Sequence, residues 1–192
     1  MTHPLLSAKP NDSLVINLCN PRDPNAIKSG LKPLSINDVN TDYMDGLNNS
    51  IIRRWLAFTN AEKASLESIK DYVQYNLDDP NSVLFGFYLD EKLRGTVRLH
   101  CIASREPQLG ITIFDLSIWG KSWATVILKA VCDFAFEELR LESIFAGIDV
   151  ENIGSIRAFG KAGFQQVDGQ KINYEMGTAI MMVRNRDHKS TP

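Results

Sequence analysis

Between Ser122 and Leu139 the chain carries a run that is apolar almost all round, with Trp123, Ile127, Val131, Phe134 and Leu139 among its residues. Its polar positions, Thr125, Lys129, Asp133 and Glu137, recur every four residues and leave one narrow wet stripe. A helix with so little polar surface has to lie packed against a sheet. Sheet formers flank it on both sides. Before it come "SVLFGFYLD", "RGTVRLHCIA" and "LGITIFDLSI", short runs of β-formers separated by "EK" and "SREPQ", which predict a three-stranded antiparallel meander. After it comes "SIFAGID", which reads as a buried strand. Strand, helix and strand thus follow one another, and the strands on either side are expected to be parallel.

The remaining segments fill in around this unit. Residues 1–28 are rich in Asn, Pro, Asp and Ser around the apolar patch "LVINLC", and predict an irregular extension with one edge strand. Ser35-x-x-Asp38 is an acidic version of the capping box and predicts a helix running to about Asn49. Thr59-x-x-Glu62 is a fuller box, whose hydroxyl and carboxylate can satisfy the first free amides of a helix. Leu66, Ile69, Val73 and Leu77 follow at helical spacing, so the pattern predicts an amphipathic helix over 60–77, stopped by "DDPN". A short helix in "ENIGSIRAFGKAGF" and a strand pair at about 164–168 and 173–184 complete the order β-α-α-β-β-β-α-β-α-β-β. The fold class is α/β with a mixed central sheet. The expected division is an extension (1–28), one domain (29–186) and a short tail (187–192).

Composition closes off several functions. The formal net charge of -2 gives no general pull toward nucleic acid or an anionic membrane. No apolar run reaches the roughly 18 residues that a membrane span needs. Met1 to Asn11 lacks a basic stretch followed by an apolar one, so no secretion signal is read there. Cys19, Cys101 and Cys132 are odd in number and widely spaced, which fits free thiols in a reducing cytosol and a cytoplasmic protein. His3, His100 and His188 are scattered, and nothing has metal-ligand spacing, so no metal is expected.

Two stretches can carry chemistry. In "IWGKSWAT", Ile118 to Thr125, a strand gives way to the long helix. The first turn of a helix leaves several N–H groups without internal partners, and the helix dipole adds positive charge there. Small residues at Gly120, Ser122 and Ala124 would let a diphosphate approach that backbone, and Lys121 adds a mobile cation. The same residues also suit a plain strand-to-helix turn. The segment matches neither a Walker loop nor Gly-x-Gly-x-x-Gly. In the second stretch Asn152 can cap a helix, with Ser155 close behind. Gly163 suits the left-handed position after that helix, and Phe164 would then fold back onto Phe159.

Together the two stretches resemble the GNAT acetyltransferase superfamily, specifically its branch of ribosomal-protein-type and amino-sugar N-acetyltransferases. The family's acetyl-CoA motif, approximately Trp/Gln-Gly-Lys-Gly-Tyr-Ala-Thr, stands here as Trp119-Gly120-Lys121-Ser122-Trp123-Ala124-Thr125. The second motif, Asn-x-x-Ser-x-Arg-x-Tyr/Leu-x-Lys-x-Gly-Phe, stands as Asn152, Ser155, Arg157, Phe159, Lys161, Gly163 and Phe164. The resemblance covers roughly 30–184 and is strongest over 109–164. It implies a mostly antiparallel twisted sheet with a splayed parallel strand pair, flanked by about four helices. Two departures stand out: Ser122 replaces the usual central glycine, and Phe159 stands where many relatives carry a tyrosine that protonates the departing thiolate.

The resemblance implies acetyl transfer from acetyl-CoA to an amine. The diphosphate would sit on the amides from Lys121 to Thr125, through Ser122, Trp123 and Ala124, and the pantetheine arm would pair with the backbone of Leu116 to Ile118. Asn152 and Ser155 would face the arm, and Phe159 would pack on it. Candidate bases are Asp115, Asp149 and His100, with a water relay as the alternative, and Ser155 is a candidate acid toward the thiolate. Each candidate also has a structural role open to it, as a strand end or cap. Lys161 and Arg157 suit the C-terminal half of their helix. Arg53 and Arg54 beside Trp55 suit either an anionic acceptor or a solvated basic edge. The expected activity is N-acetylation of a small amine, an amino sugar or polyamine, by a monomer or homodimer. Acetylation of a protein N-terminus or lysine is the second expectation, and a non-catalytic acyl-CoA-binding module the third.

Overall fold

The computed structural model describes residues 14–23, 28–56, 63–174 and 177–187. Its eight strands are β1 (Ile16–Asn17), β2 (Ser29–Pro33), β3 (Ser82–Leu89), β4 (Lys92–His100), β5 (Gln108–Ile113), β6 (Ser143–Asp149), β7 (Gln165–Tyr174) and β8 (Gly177–Asn185). They form one sheet in the order β1-β2-β3-β4-β5-β6-β8-β7, in which β5 and β6 are the parallel pair. The helices are α1 (Thr41–Asn48), the single turn α2 (Ser50–Arg53), α3 (Leu66–Asp78), α4 (Trp123–Glu137) and α5 (Ile153–Lys161).

The long apolar helix behaves as its sequence requires. Trp123, Ile127, Leu128, Val131, Cys132 and Ala135 are buried in α4, while Lys129, Asp133 and Glu137 stay exposed. Alternation along the strands sends Phe85, Phe87, Val97, Leu99, Ile144, Ala146 and Ile148 to the same core. Phe87 tilts against Trp123 with ring centroids 5.1 Å apart, and Phe134 meets Phe85 edge-on at 5.6 Å. A second core lies across the sheet, where Tyr43, Ile52, Ile69 and Val73 of α1–α3 pack on Leu84 and Phe114. There Tyr43 stacks on Phe114 at 5.0 Å, and a Cβ on Gly46 would come within 2.6 Å of the same ring.

Several expected boundaries move. The patch "LVINLC" contributes two residues of edge strand, paired with a strand that the sequence pattern did not predict, β2. Its "SGLKP" is poor in β-formers and is held in place by β3 across five register pairs. The helix expected from Ser35 is a 3-10 turn, Ile36–Asp38, closed by Asp38 accepting from the Ser35 amide at 2.9 Å. Asn40 then caps α1 afresh through Tyr43 N at 3.0 Å. The helix expected over 60–77 begins at Leu66, where Ser65 and Ser68 cap each other; Thr59 and Glu62 lie outside the described residues. In the last hairpin β7 runs on to Tyr174, with an irregularity between Gln166 and Lys171.

One shift bears directly on function. The strand expected over 109–118 stops at Ile113, and Leu116–Ile118 is a 3-10 turn. Phe114 drops into the second core, and Asp115 starts the turn by accepting from Ser117 N at 2.9 Å and Ser117 Oγ at 2.6 Å.

Candidate active site

The parallel strands β5 and β6 share a single register pair, Gln108 with Phe145, reinforced by Phe145 N donating to Pro107 O at 2.8 Å. Beyond that pair they splay. Phe114 N donates to Arg94 O at 3.1 Å, so counting back by twos along the ladder turns the backbone groups of Ile111 and Ile113 away from β4 and toward β6. Val150 N donates to Thr178 O at 3.0 Å, and the same count on β6 turns Gly147 and Asp149 toward β5. Two rows of backbone polar groups therefore face a wedge that opens toward Ile113 and Asp149. A Cβ on Gly110 or Gly147 would meet nothing within 4 Å, so the face opposite α4 is open above it. At the mouth Trp119, 45% exposed, donates its indole N–H to Ile113 O at 2.9 Å.

Helix α4 begins beside this mouth. Gly120 and Ser122 are both left-handed, with φ of 76° and 67°. Ser122 in that conformation makes no side-chain cap bond, so the first-turn amides of Trp123, Ala124 and Thr125 start α4 without one. Nothing lies within 4 Å of a Cβ built on Gly120. Trp123 as a whole residue is 1% exposed and its indole donates to Asp23 Oδ2 at 2.9 Å, so its ring offers nothing to a ligand. Lys121 Nζ lies 3.7 Å from the same carboxylate.

Helix α5 sits alongside α4, with Thr125 Oγ1 3.5 Å from Ala158 O. Asn152 caps it, its Oδ1 accepting from Ser155 N at 3.1 Å, which leaves the Asn152 amide nitrogen as the donor for a ligand. The helix ends as its sequence predicts. Phe164 N donates to Phe159 O and Gly163 N to Gly160 O, Gly163 takes φ 93°, and the Phe159 and Phe164 rings meet at 4.9 Å. This places Phe159 in the core at 2% exposure, so it closes the helix instead of offering a wall to a cofactor arm. The turn at Leu116–Ile118 likewise cannot pair with an extended arm as a strand would; Ile111 and Ile113 hold that geometry.

The candidate bases separate. His100 pairs with Gln108 at the closed end of the wedge, about five residues or ~16 Å along β4 from Gly95 at the open end. Burial and then the Arg98 charge push its imidazole below the ordinary value. Asp115 sits at the open end but is bound by Ser117 and by Arg94. Burial alone would raise its carboxyl, but the Ser117 bonds and the Arg94 guanidinium outweigh that and hold it below the ordinary value of 3.8. A carboxyl so held is a weak base and a good strut. Its contribution to stability is full above 3.8 and is lost as pH falls through its lowered folded value. Asp115→Asn should therefore cost about 1–2 kcal/mol at pH 7, and thermal denaturation should show the gap to wild type closing as pH falls below 3.8. Asp149 ends β6 on the open side of the wedge, its Oδ1 accepting from Glu151 N at 2.7 Å.

Near the mouth, Arg54 pairs with Glu151 at 2.8 Å and lies 4.8 Å over the Trp55 ring. Arg53 closes α2, while Arg157 and Lys161 are exposed on α5. Four contributors were not anticipated from the sequence: the backbone of Ile111 and Ile113, the open glycine Gly147, Arg94 and Glu151. A glycine inside a strand signals a close approach of backbone or ligand, so Gly147 in "FAGID" was findable. The two ion pairs join residues 21 and 97 positions apart and leave no local pattern.

Comparison with known proteins gives this geometry a family. A stretch of 97 residues is 35% identical to the probable N-acetyltransferase YjcK of Bacillus subtilis (strain 168), covering 48% of this chain. The chain spans about half the length of that relative, 54%. Among solved structures, Mycobacterium smegmatis RimJ in complex with CoA-disulfide superposes with a TM-score of 0.75 at 18% identity, over 92% of this chain and 89% of that one. Spermidine N-acetyltransferase from Vibrio cholerae, in complex with CoA and spermine, gives 0.69 at 21% identity, over 82% and 95%. At these identities the two structures speak for the fold. The acetyltransferase (GNAT) domain profile matches residues 30–165, from β2 to the first residue of β7, and the chain therefore belongs to the GNAT acetyltransferase family.

Proposed function

We propose that the chain transfers an acetyl group from acetyl-CoA to the primary amine of a small molecule of the amino-sugar or polyamine type. The observation that carries this is the wedge between β5 and β6, opening beside a helix start whose first-turn amides have no side-chain cap. The residues fit the cosubstrate. Left-handed Gly120 and Ser122 bend the loop so that the amides of Trp123 to Thr125 suit a diphosphate, and the row at Ile111 and Ile113 suits an extended, amide-rich arm. Acetyl-CoA supplies an acetyl thioester, whose C–S bond breaks as the acceptor nitrogen forms the C–N bond. A backbone amide in the wedge supports the developing oxyanion. Asp149 receives the acceptor's proton directly or through water, while Asp115 and Arg94 brace the turn below Trp119. Phe159 has no proton to give the thiolate, so that proton comes from solvent or from Ser155.

The acceptor class follows from charge at the mouth. Glu151 already neutralises Arg54, which weakens the case for an anionic acceptor, and Asp149 favours an ammonium-bearing one. Thiol release from acetyl-CoA would be measured with a panel of polyamines, amino sugars and peptides. Turnover with the small amines supports the proposal, and turnover with peptides alone overturns the acceptor class. Tight CoA binding with no transfer to any amine would reduce the chain to a binding module.

A further inference from the structure

The loop proposed to take the diphosphate is held from outside the family-matched span. Asn20, 6% exposed, donates its side-chain N–H to Lys121 O at 2.8 Å, across 101 residues. The same side chain accepts from Arg22 N at 3.1 Å, and Asn20 O accepts from Asp23 N at 3.0 Å, so one residue both shapes its own turn and grips the loop. Asp23 reaches the next residues, taking the Trp123 indole N–H at 2.9 Å with Lys121 Nζ at 3.7 Å. The segment is tethered to the sheet, because Leu18 N donates to Ser29 O and Ser29 Oγ to Leu18 O, each at 3.0 Å.

Ser122 needs such a grip. A left-handed backbone is unfavourable for an L-residue other than glycine by roughly 1–2 kcal/mol, so the loop will relax unless something fixes the peptide before it. Asn20 fixes that peptide through its carbonyl. Asp23 has an opposing electrostatic effect. Its carboxylate occupies Lys121 and sets negative charge near the helix start where a diphosphate would sit.

We propose that residues 18–23 are a working part of the cofactor loop, with Asn20 as a positioning residue that holds Ser122 left-handed and Asp23 as a counter-charge that CoA has to displace from Lys121. This rests on the reading that the loop binds the CoA diphosphate. The test is calorimetric titration of CoA into the full chain and its variants at low salt, at a temperature where circular dichroism shows each to be folded. Asn20→Ala should weaken CoA binding about fivefold, the effect of one net hydrogen bond. Asp23→Asn keeps an acceptor for the indole but removes the charge, and should tighten binding about threefold, an advantage that fades in high salt. Opposite signs are the signature, since a segment serving stability alone would leave binding by the folded variants unchanged, or weaken it in both. Wild-type binding with both variants unchanged, or both weakened, overturns the proposal and leaves the cofactor reading standing. Failure of wild type to bind CoA overturns the cofactor reading, and this inference with it.

Discussion

Replacing Gly147 by valine should reduce acetyl transfer by about 100-fold or more while leaving the protein folded. Gly147 lies in the middle of β6 on its exposed side, and a Cβ there meets nothing within 4 Å. The added side chain therefore clashes with no protein atom near its Cβ. Valine suits a strand and restricts the unfolded chain more than glycine does, so stability should hold or rise by up to about 1 kcal/mol. The free space is, however, the space that a thioester and an approaching amine would share on the proposed function. Turnover assays beside thermal denaturation separate the two effects. A variant with normal melting and normal turnover would show that the chemistry lies elsewhere.

A charge placed at the start of α4 should also separate stability from binding. Ala124 is in the first turn, where no side chain caps the free amides. Aspartate there complements the helix dipole and should stabilise the protein by about 0.3–1 kcal/mol. The same carboxylate competes with the diphosphate for the amides and repels it. At a few ångströms and an effective dielectric near 20, such repulsion is on the order of 4 kcal/mol, so CoA affinity should fall by roughly 100-fold or more. Ala124→Asn is the uncharged control and should lose much less. Raised melting temperature together with lost CoA binding is the expected pair of results; retained affinity would rule out the α4 start as the diphosphate site.

The parts that were legible in the sequence are those set by neighbours along the chain. The apolar wrap of α4, the extent of β6 and the Gly163–Phe164 helix stop each depend on residues within one or two turns, and each stands as its pattern implied. The losses have a common physical cause. Leu116–Ile118 has β-forming residues, yet Phe114 is drawn into the core beside Tyr43, and Asp115 starts a turn in which Arg94 holds its carboxylate. Tertiary packing from α1 and β4 decides that segment. For the same reason the extended backbone expected over 116–118 ends at Ile113, and on the proposed function it is Ile111 and Ile113 that would pair with the arm. Phe159 was doubly placed, as a helix-stop partner and as a cofactor wall; its burial against Phe164 retains the first role. Asn20 and Asp23 carry no signal at all in one dimension, because their meaning is the loop 100 positions away.

The splay between β5 and β6 also divides the molecule mechanically. One register pair is all the ladder that joins the half-sheet β1–β5 to the half-sheet β6–β8, and the core that α4 packs into draws residues from both. Such a seam lets the two halves loosen against each other without either losing its own ladders. Native-state amide exchange should then resolve two cooperative units, with an extended guest in the wedge acting as the missing strand that welds them into one. Uniform exchange across both half-sheets, with or without CoA, would count against a seam.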